Sequence, residues 1–171
     1  VLNVDSPWFD ERSPEADFAS PLFASIDTLL PSEADLAIAF PGRTPLDAAQ
    51  ALIARGARRV VAKLGAAGSA IVVRDAEPVF VPVVPVTVVD PTGAGDAYCG
   101  GFLAGLVETG DPLMAAAFGT VSASFAVETI GPLALPTFVD PTVIVANWIY
   151  QNVHFGVQAW INSPIGFVVD T

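Results

Sequence analysis

The chain has 171 residues, of which 53% are hydrophobic, with a mean hydropathy of +0.58, and this length allows one domain with a hydrophobic core. Its 7 basic and 18 acidic residues give a net charge of −11, which disfavours nucleic acid as a partner. A single cysteine, Cys99, excludes an internal disulfide and fits a reducing compartment such as the cytoplasm. Because no apolar run reaches the roughly 18 to 20 residues of a membrane span, and the first residues lack the pattern of a signal peptide, we expect no membrane partner.

Hydrophobic patterning and turn residues predict short strands alternating with helices. Thr44 as a cap, Pro45 in the first turn and Gly56 after the last are typical of one helix. RRVVAKL is typical of a strand covered on both faces. In chain order the predicted elements are a strand at 1–4, a loop at 6–21, a buried strand at 27–30, a helix at 44–55, a strand at 58–64, a turn at 65–68, a returning strand at 69–73, edge strands or a hairpin at 77–89, and helices at 97–109 and 111–127. This order favours a layered α/β fold.

The last part of the chain differs in composition from the rest. Residues 141–169 contain no Asp, Glu, Lys or Arg, but they include two tryptophans. This segment predicts either a strand pair packed on the domain or a sequence foreign to the fold, and the sequence alone favours neither.

A glycine-rich loop with an acid behind it, VVDPTGAGDAYCGGF, occupies residues 88–102. Gly93, Ala94 and Gly95 present backbone N–H groups where a helix begins, and such unpaired groups form an anion site suited to phosphate. Asp96 would repel a phosphate that is only bound, but it can accept a proton from a hydroxyl that attacks that phosphate. The alternative is an ordinary tight turn before a helix. A P-loop is excluded because Asp follows Gly95, and a dinucleotide fingerprint is excluded by Tyr98.

The segment DPTGAGDAYCGGF resembles the C-terminal signature of the ribokinase-like (PfkB) carbohydrate kinases, Asp-Thr-x-Gly-Ala-Gly-Asp followed by a Gly-Gly-Phe helix, with Pro91-Thr92 as a variant. VVAKLGAAGSAIVV, LLPSEADL and AAAFGTVSASFAVETIG are similar to three further segments of that family. The resemblance covers residues 1–140 and implies a ribokinase-like layered α/β sheet with flanking helices. That fold would be incomplete here, because the family's N-terminal half and β lid are absent.

The resemblance implies roles in ATP-dependent phosphoryl transfer for particular residues. Asp96 would be the general base, and the amides of Gly93, Ala94 and Gly95 would form the anion hole for the γ-phosphate. At Gly65 and Gly68 the nucleotide would approach the backbone closely, and Thr92 would also contact the nucleotide. Asp90 and Thr92 would bind a monovalent cation such as K⁺. Asp35 would reach Mg²⁺ through water.

Some positions depart from the family pattern or have a competing interpretation. Ser32 and Asp35 replace the Asn and Glu of the Asn-x-x-Glu motif, and a helix cap with a first-turn acid is an equally good interpretation of the pair. Lys63 is predicted to be a strand-end lysine that reaches solvent. Ser122 and Ser124 are predicted to pack within their helix rather than to line a nucleotide pocket.

The resemblance therefore implies transfer of the ATP γ-phosphate, with Mg²⁺, to a primary hydroxyl of a sugar, polyol or nucleoside. Residues 1–140 would be the nucleotide-side, C-terminal portion of the kinase domain, and 141–171 an unmatched apolar tail. The residues that recognise the acceptor substrate would lie in the missing half. Association with that half, or a homodimer, is therefore expected. The alternative is a catalytically incomplete module or a non-catalytic relative that binds nucleotide.

Overall fold

The computed structural model describes residues 25–130, and the predictions for residues 1–4, 6–21 and 141–171 lie outside them. The chain divides into two compact units, Val1–Val83 and Val84–Thr171. In chain order the elements are β1 (Thr28–Leu29), α1 (Glu33–Ala39), α2 (Pro45–Ala54), β2 (Arg59–Lys63), a 3₁₀ turn (Gly65–Ala67), β3 (Ser69–Val73), β4 (Val79–Val81), α3 (Ala94–Thr109) and α4 (Pro112–Val127). This combination of a sheet and helices confirms the predicted α/β class. Within residues 25–130, none of the helices is long and apolar enough to cross a membrane.

Residues 25–83 of the first unit contain a four-stranded mixed sheet with the order β1-β2-β3-β4. β1 runs parallel to β2, whereas β3 is antiparallel to both β2 and β4. Val60, Val61 and Ala62 in the centre of β2 are fully buried, which confirms a strand covered on both faces. In the described part of the chain, β4 lies at the edge of the sheet, as predicted for part of residues 77–89.

Helix α2 begins and ends at the residues that the sequence indicates. The Asp47 N–H donates to Thr44 Oγ1 at 3.1 Å, which satisfies one donor of the first turn. Gly56, with a φ of 113°, follows the helix. The apolar face of α2 packs on a core shared with α1 and β2, which includes Leu36, Leu52 and Val60.

In the second unit, α3 begins at Ala94 rather than at the predicted Ala97. The reason is Gly93, whose φ of 83° lets the chain turn directly into the helix. The Gly93 carbonyl therefore already accepts the Ala97 N–H at 2.9 Å. Helix α4 starts as predicted, with Asp111 Oδ1 accepting the Leu113 N–H at 2.9 Å.

Asp27 links β1 to β2 through side-chain contacts. Its Oδ2 accepts a hydrogen bond from the Thr28 hydroxyl at 2.9 Å, and its Oδ1 accepts one from Arg58 at 3.1 Å. The Arg59 guanidinium lies 3.7 Å from Oδ2. The Thr28 hydroxyl, followed by the two guanidinium groups, holds the pKa of Asp27 below its usual value of 3.8, although partial burial acts in the opposite direction.

The lowered pKa of Asp27 predicts a pH-dependent effect of the Asp27→Asn substitution on stability. A carboxylate with a depressed folded-state pKa stabilises the fold above pH 3.8, and this contribution is lost as the pH falls through the lower, folded value. We expect Asp27→Asn to lower the free energy of unfolding slightly at neutral pH, because the carboxylate is half exposed, and to have less effect in stronger acid. Urea unfolding across this range measures it, with Asp75→Asn in an exposed turn as the control. A difference between wild type and Asp27→Asn that stays constant in acid would contradict the prediction.

Candidate active site

The segment that leads into α3 is held by hydrogen bonds to α4 and within its own turn. The Val127 carbonyl accepts the N–H groups of Val89 at 2.7 Å and Asp90 at 3.2 Å. Asp90 Oδ1 in turn accepts the Thr92 N–H at 2.9 Å, which forms an Asx turn. The structure thus brings the predicted site residues Asp90 and Thr92 together at the entrance to α3.

The first turn of α3 leaves backbone donors available. The Ala94 N–H donates to the Pro91 carbonyl at 3.2 Å, whereas the N–H groups of Gly93, Gly95 and Asp96 form no hydrogen bond with residues 25–130. First-turn N–H groups have no acceptor inside their own helix and carry the positive end of its dipole. Gly95 and Asp96 are also exposed. Anion binding at this helix start would therefore use the N–H groups of Gly93, Gly95 and Asp96 before that of Ala94.

The Asp96 carboxylate lies in the same turn as these donors. It is exposed, and within residues 25–130 it forms no hydrogen bond or ion pair. A base and an anion site within one helical turn is the arrangement that the sequence predicts. The roles of Asp96 as base and of Gly93, Ala94 and Gly95 as anion hole stay predictions.

Gly65 and Gly68 flank the turn between β2 and β3, and both have positive φ, 56° and 90°. A Cβ added to Gly65 would have nothing within 4 Å, so a ligand could approach its backbone. A Cβ added to Gly68 would overlap the Val81 carbonyl oxygen and lie 3.0 Å from the Pro82 Cα. Packing against β4 therefore accounts for Gly68, and the nucleotide contacts of both glycines stay predictions.

The two glycines predict different costs for the same added methyl group. Gly65→Ala should lower the free energy of unfolding by about 1–2 kcal/mol, the cost of a left-handed alanine. Gly68→Ala adds an overlap with backbone, which costs about 1–3 kcal/mol more. Urea unfolding of the two variants tests this, and equal losses at the two positions would contradict the contact between Gly68 and β4.

Asp35 forms a capping box with Ser32 at the start of α1. Its Oδ2 accepts the Ser32 N–H at 2.8 Å and the Ser32 hydroxyl at 2.6 Å, and its own N–H donates to Ser32 Oγ at 3.2 Å. The cap interpretation is confirmed. Among residues 25–130, no cluster of three His, Cys, Asp or Glu side chains could hold a metal ion, and the water-mediated contact of Asp35 with Mg²⁺ stays a prediction.

The first unit places the α1 cap and the glycine turn at one end of its sheet. Ser32 forms a parallel bridge with Lys63, whose N–H donates to the Pro31 carbonyl at 2.9 Å. Gly65 follows Lys63 after one residue, so the strand-end position predicted for Lys63 is confirmed. Asp35 and Gly65 thus share the carboxyl end of the parallel pair β1 and β2, where α/β proteins commonly bind ligands.

Three hydroxyl side chains of α4 are relevant to the prediction that its serines pack within the fold rather than line a nucleotide pocket. The Ser124 hydroxyl donates to the Val121 carbonyl at 2.7 Å, and Ser122 packs against Gly101 of α3, which confirms that both serines pack inside the unit. The Thr120 hydroxyl is buried and has no hydrogen-bond partner in the described structure. Sequence reasoning does not single out Thr120, because its unmet hydrogen bond depends on the packing around α4.

Comparisons with known proteins agree with this fold. The pfkB family of carbohydrate kinases matches residues 3–137. A ribokinase of Arabidopsis thaliana is 33% identical over 125 residues, which are 70% of this chain and 32% of that protein. Among solved structures, aminoimidazole riboside kinase of Salmonella enterica, complexed with aminoimidazole riboside and an ATP analogue, superposes with a TM-score of 0.70 at 25% identity over 85% of this chain and 50% of that chain. A structure from E. coli assigned as a ribokinase II, in complex with ATP and Mg²⁺, gives a TM-score of 0.63 at 26% identity and covers 77% of this chain and 41% of that one.

The chain belongs to the pfkB family of carbohydrate kinases, and its fold is ribokinase-like. It spans 32% of the length of the Arabidopsis ribokinase. Family membership thus supports a kinase, and the matched residues contain the glycine loop, α3 and α4.

Proposed function

We propose that this chain supplies the nucleotide side of a kinase that transfers the γ-phosphate of ATP to a primary hydroxyl of a sugar, polyol or nucleoside. The observation that carries the proposal is the first turn of α3, where the N–H groups of Gly93, Gly95 and Asp96 form no hydrogen bond with the described residues and the Asp96 carboxylate is exposed. Donors for an anion and a base for a hydroxyl then lie within one turn of backbone.

In the proposed reaction, the oxygen of the acceptor hydroxyl bonds to the γ-phosphorus while Asp96 accepts the proton of that hydroxyl. The bond from that phosphorus to the bridging oxygen breaks, and ADP leaves. In this proposal the N–H groups would face the negative charge that develops on the transferring phosphoryl group, and they would need little reorganisation because the helix already fixes them. The Ala94 N–H would join them only by releasing the Pro91 carbonyl.

The proposal relies on backbone donors because no Lys or Arg follows Arg74 in the sequence. Mg²⁺ would neutralise part of the ATP charge. Since the described residues offer no three-ligand cluster, they fit a metal held mainly by phosphates and water, with Asp35 as a water-mediated contact. Asp90 and Thr92 are the proposed contacts for a monovalent cation, and Gly65, Gly68 and Thr92 for the nucleotide.

The acceptor is the part of the proposal that depends on other residues. Because this chain matches less than half the length of the ribokinases above, association with a further half-domain or a second copy would supply the acceptor contacts. A cytoplasmic location, based on the single cysteine, belongs to the same proposal. The second candidate is a module that binds nucleotide without transferring phosphate.

Substitution of the proposed base tests the catalytic role. Asp96→Asn should bind MgATP nearly as wild type does but turn over about 10²–10⁴-fold more slowly, the usual contribution of a general base. Release of ADP with D-ribose, D-fructose or cytidine as acceptor gives the rate, and Glu108→Gln, an exposed acid in the last turn of the same helix, is the matched control. Equal turnover by Asp96→Asn and wild type would remove Asp96 from the mechanism.

Nucleotide binding separates the two candidate functions. MgATP at 100 times its Kd should raise the free energy of unfolding by about 2.7 kcal/mol, which a thermal-shift titration of the 171-residue chain measures. Stabilisation with a phosphorylated acceptor supports the kinase, and stabilisation without product supports the module. Absence of any shift up to millimolar MgATP would contradict both.

A further inference from the structure

We propose that α4 positions the catalytic loop, with Gly101 and Gly119 as the positioning residues at its contact with α3. The inference rests on the proposed function, because it assigns a role to the loop from Asp90 to Asp96. Neither glycine lies in the loop itself. Each acts through the placement of α3, whose first turn carries Asp96 and the N–H groups that form no hydrogen bond with residues 25–130.

The entrance to the loop is attached to the end of α4. Carbonyl groups in the last turn of a helix have no N–H partner within that helix. The Val127 carbonyl instead accepts hydrogen bonds from the N–H groups of Val89 and Asp90. The loop therefore begins at a point that moves with the C-terminal end of α4.

The exit from the loop is attached to the same helix through glycines. A Cβ on Gly101 of α3 would overlap the Ser122 hydroxyl and lie 2.7 Å from the Phe118 carbonyl oxygen. A Cβ on Gly119 of α4 would lie 2.8 Å from the Tyr98 carbonyl oxygen. Tyr98 follows Asp96 after one residue, so the close approach of the helices is set beside the first turn of α3.

The loop is thus held at both ends by one element. Between Asp90 and Ala94 the backbone has little conformational freedom, because an Asx turn, Pro91 and the left-handed conformation of Gly93 restrict it. Any increase in the separation of α3 and α4 must displace the N–H groups of Gly95 and Asp96 relative to Asp90. Close packing of the helices is therefore a condition for the geometry of the site as well as for the stability of the unit.

Gly100 and Gly101 offer a matched comparison on α3. A Cβ on Gly100 would have nothing within 4 Å, whereas a Cβ on Gly101 would meet backbone and side-chain atoms of α4. Gly100→Ala and Gly101→Ala add the same group to the same helix, so their effects on helix propensity are equal. The difference between them reports the contact with α4 alone.

The experiment measures the loop directly through amide signals and MgATP binding, neither of which depends on the acceptor. In ¹⁵N-labelled chain, Gly101→Ala should shift the amide signals of Gly93, Gly95 and Asp96, weaken MgATP binding, and lower kcat by about 100-fold, the loss expected from displacing a reacting group by about 1 Å. Gly100→Ala should leave these quantities as in wild type. Adding Ser122→Gly to Gly101→Ala removes the overlap with the serine side chain, and it should return the amide signals part of the way.

Several results would overturn the proposal. Unchanged loop amides in a folded Gly101→Ala, equal effects of Gly100→Ala and Gly101→Ala, or no recovery with Ser122→Gly would each contradict it. If Gly101→Ala does not fold, Gly119→Ala provides the same test from the α4 side. If wild type binds no MgATP, the proposed function fails, and the amide signals still decide whether α4 positions the loop.

Discussion

The second unit depends on the turn at Gly93, where the backbone enters the left-handed region and α3 begins without a side-chain cap. A residue with a Cβ would pay about 1–2 kcal/mol for this conformation. Because the turn is tight, the Gly93 carbonyl accepts the Ala97 N–H, and the donors of Gly95 and Asp96 stay outside the helical ladder. A capping Ser, Thr or Asp at this position would place its own oxygen on one of those donors. The absence of a side chain at Gly93 therefore leaves room for an external acceptor.

Charge explains why the geometry of these donors matters. The C-terminal part of the chain has no Lys or Arg after Arg74, so no flexible cation there can follow an anion that is slightly displaced. Backbone N–H groups have fixed directions, and a helix dipole acts mainly over its first turn. The proposed anion binding at α3 would thus rely on placement of the helix start, whereas a lysine-based site would tolerate small movements. This is the physical reason why contacts made by α4 bear on the site.

Local signals made much of the fold predictable. Thr44, Asp111 and Gly56 mark helix ends through their own backbone and side-chain chemistry, and the buried strand around Val60 follows from continuous hydrophobicity. The start of α3 was predicted three residues late, because Gly-Ala-Gly has low helix propensity and only the φ of Gly93 shows that the helix already begins there.

The candidate site was predictable in its residues but less so in its contacts. The glycine loop and Asp96 stand out in the sequence, yet the bond from the Ala94 N–H to Pro91 appears only in three dimensions. Gly68 meets Val81 across the sheet, and Gly101 differs from its neighbour Gly100 only in facing α4. Such distinctions depend on residues distant in sequence. The same holds for Asp35, where the sequence left a cap and a metal contact open and the structure shows the cap.

The composition of α3 links stability to the site. A glycine inside a helix costs roughly 0.5–1 kcal/mol relative to alanine, and α3 contains Gly95, Gly100, Gly101 and Gly105. Intrinsic propensity therefore opposes this helix, and packing must stabilise it. Gly101 and Gly105 offset part of their unfavourable helix propensity because they let α4 approach closely. Phe102, which follows Gly101, is fully buried. Since α3 is stabilised by its contact with α4, the first-turn donors of the proposed anion site depend on that contact as well.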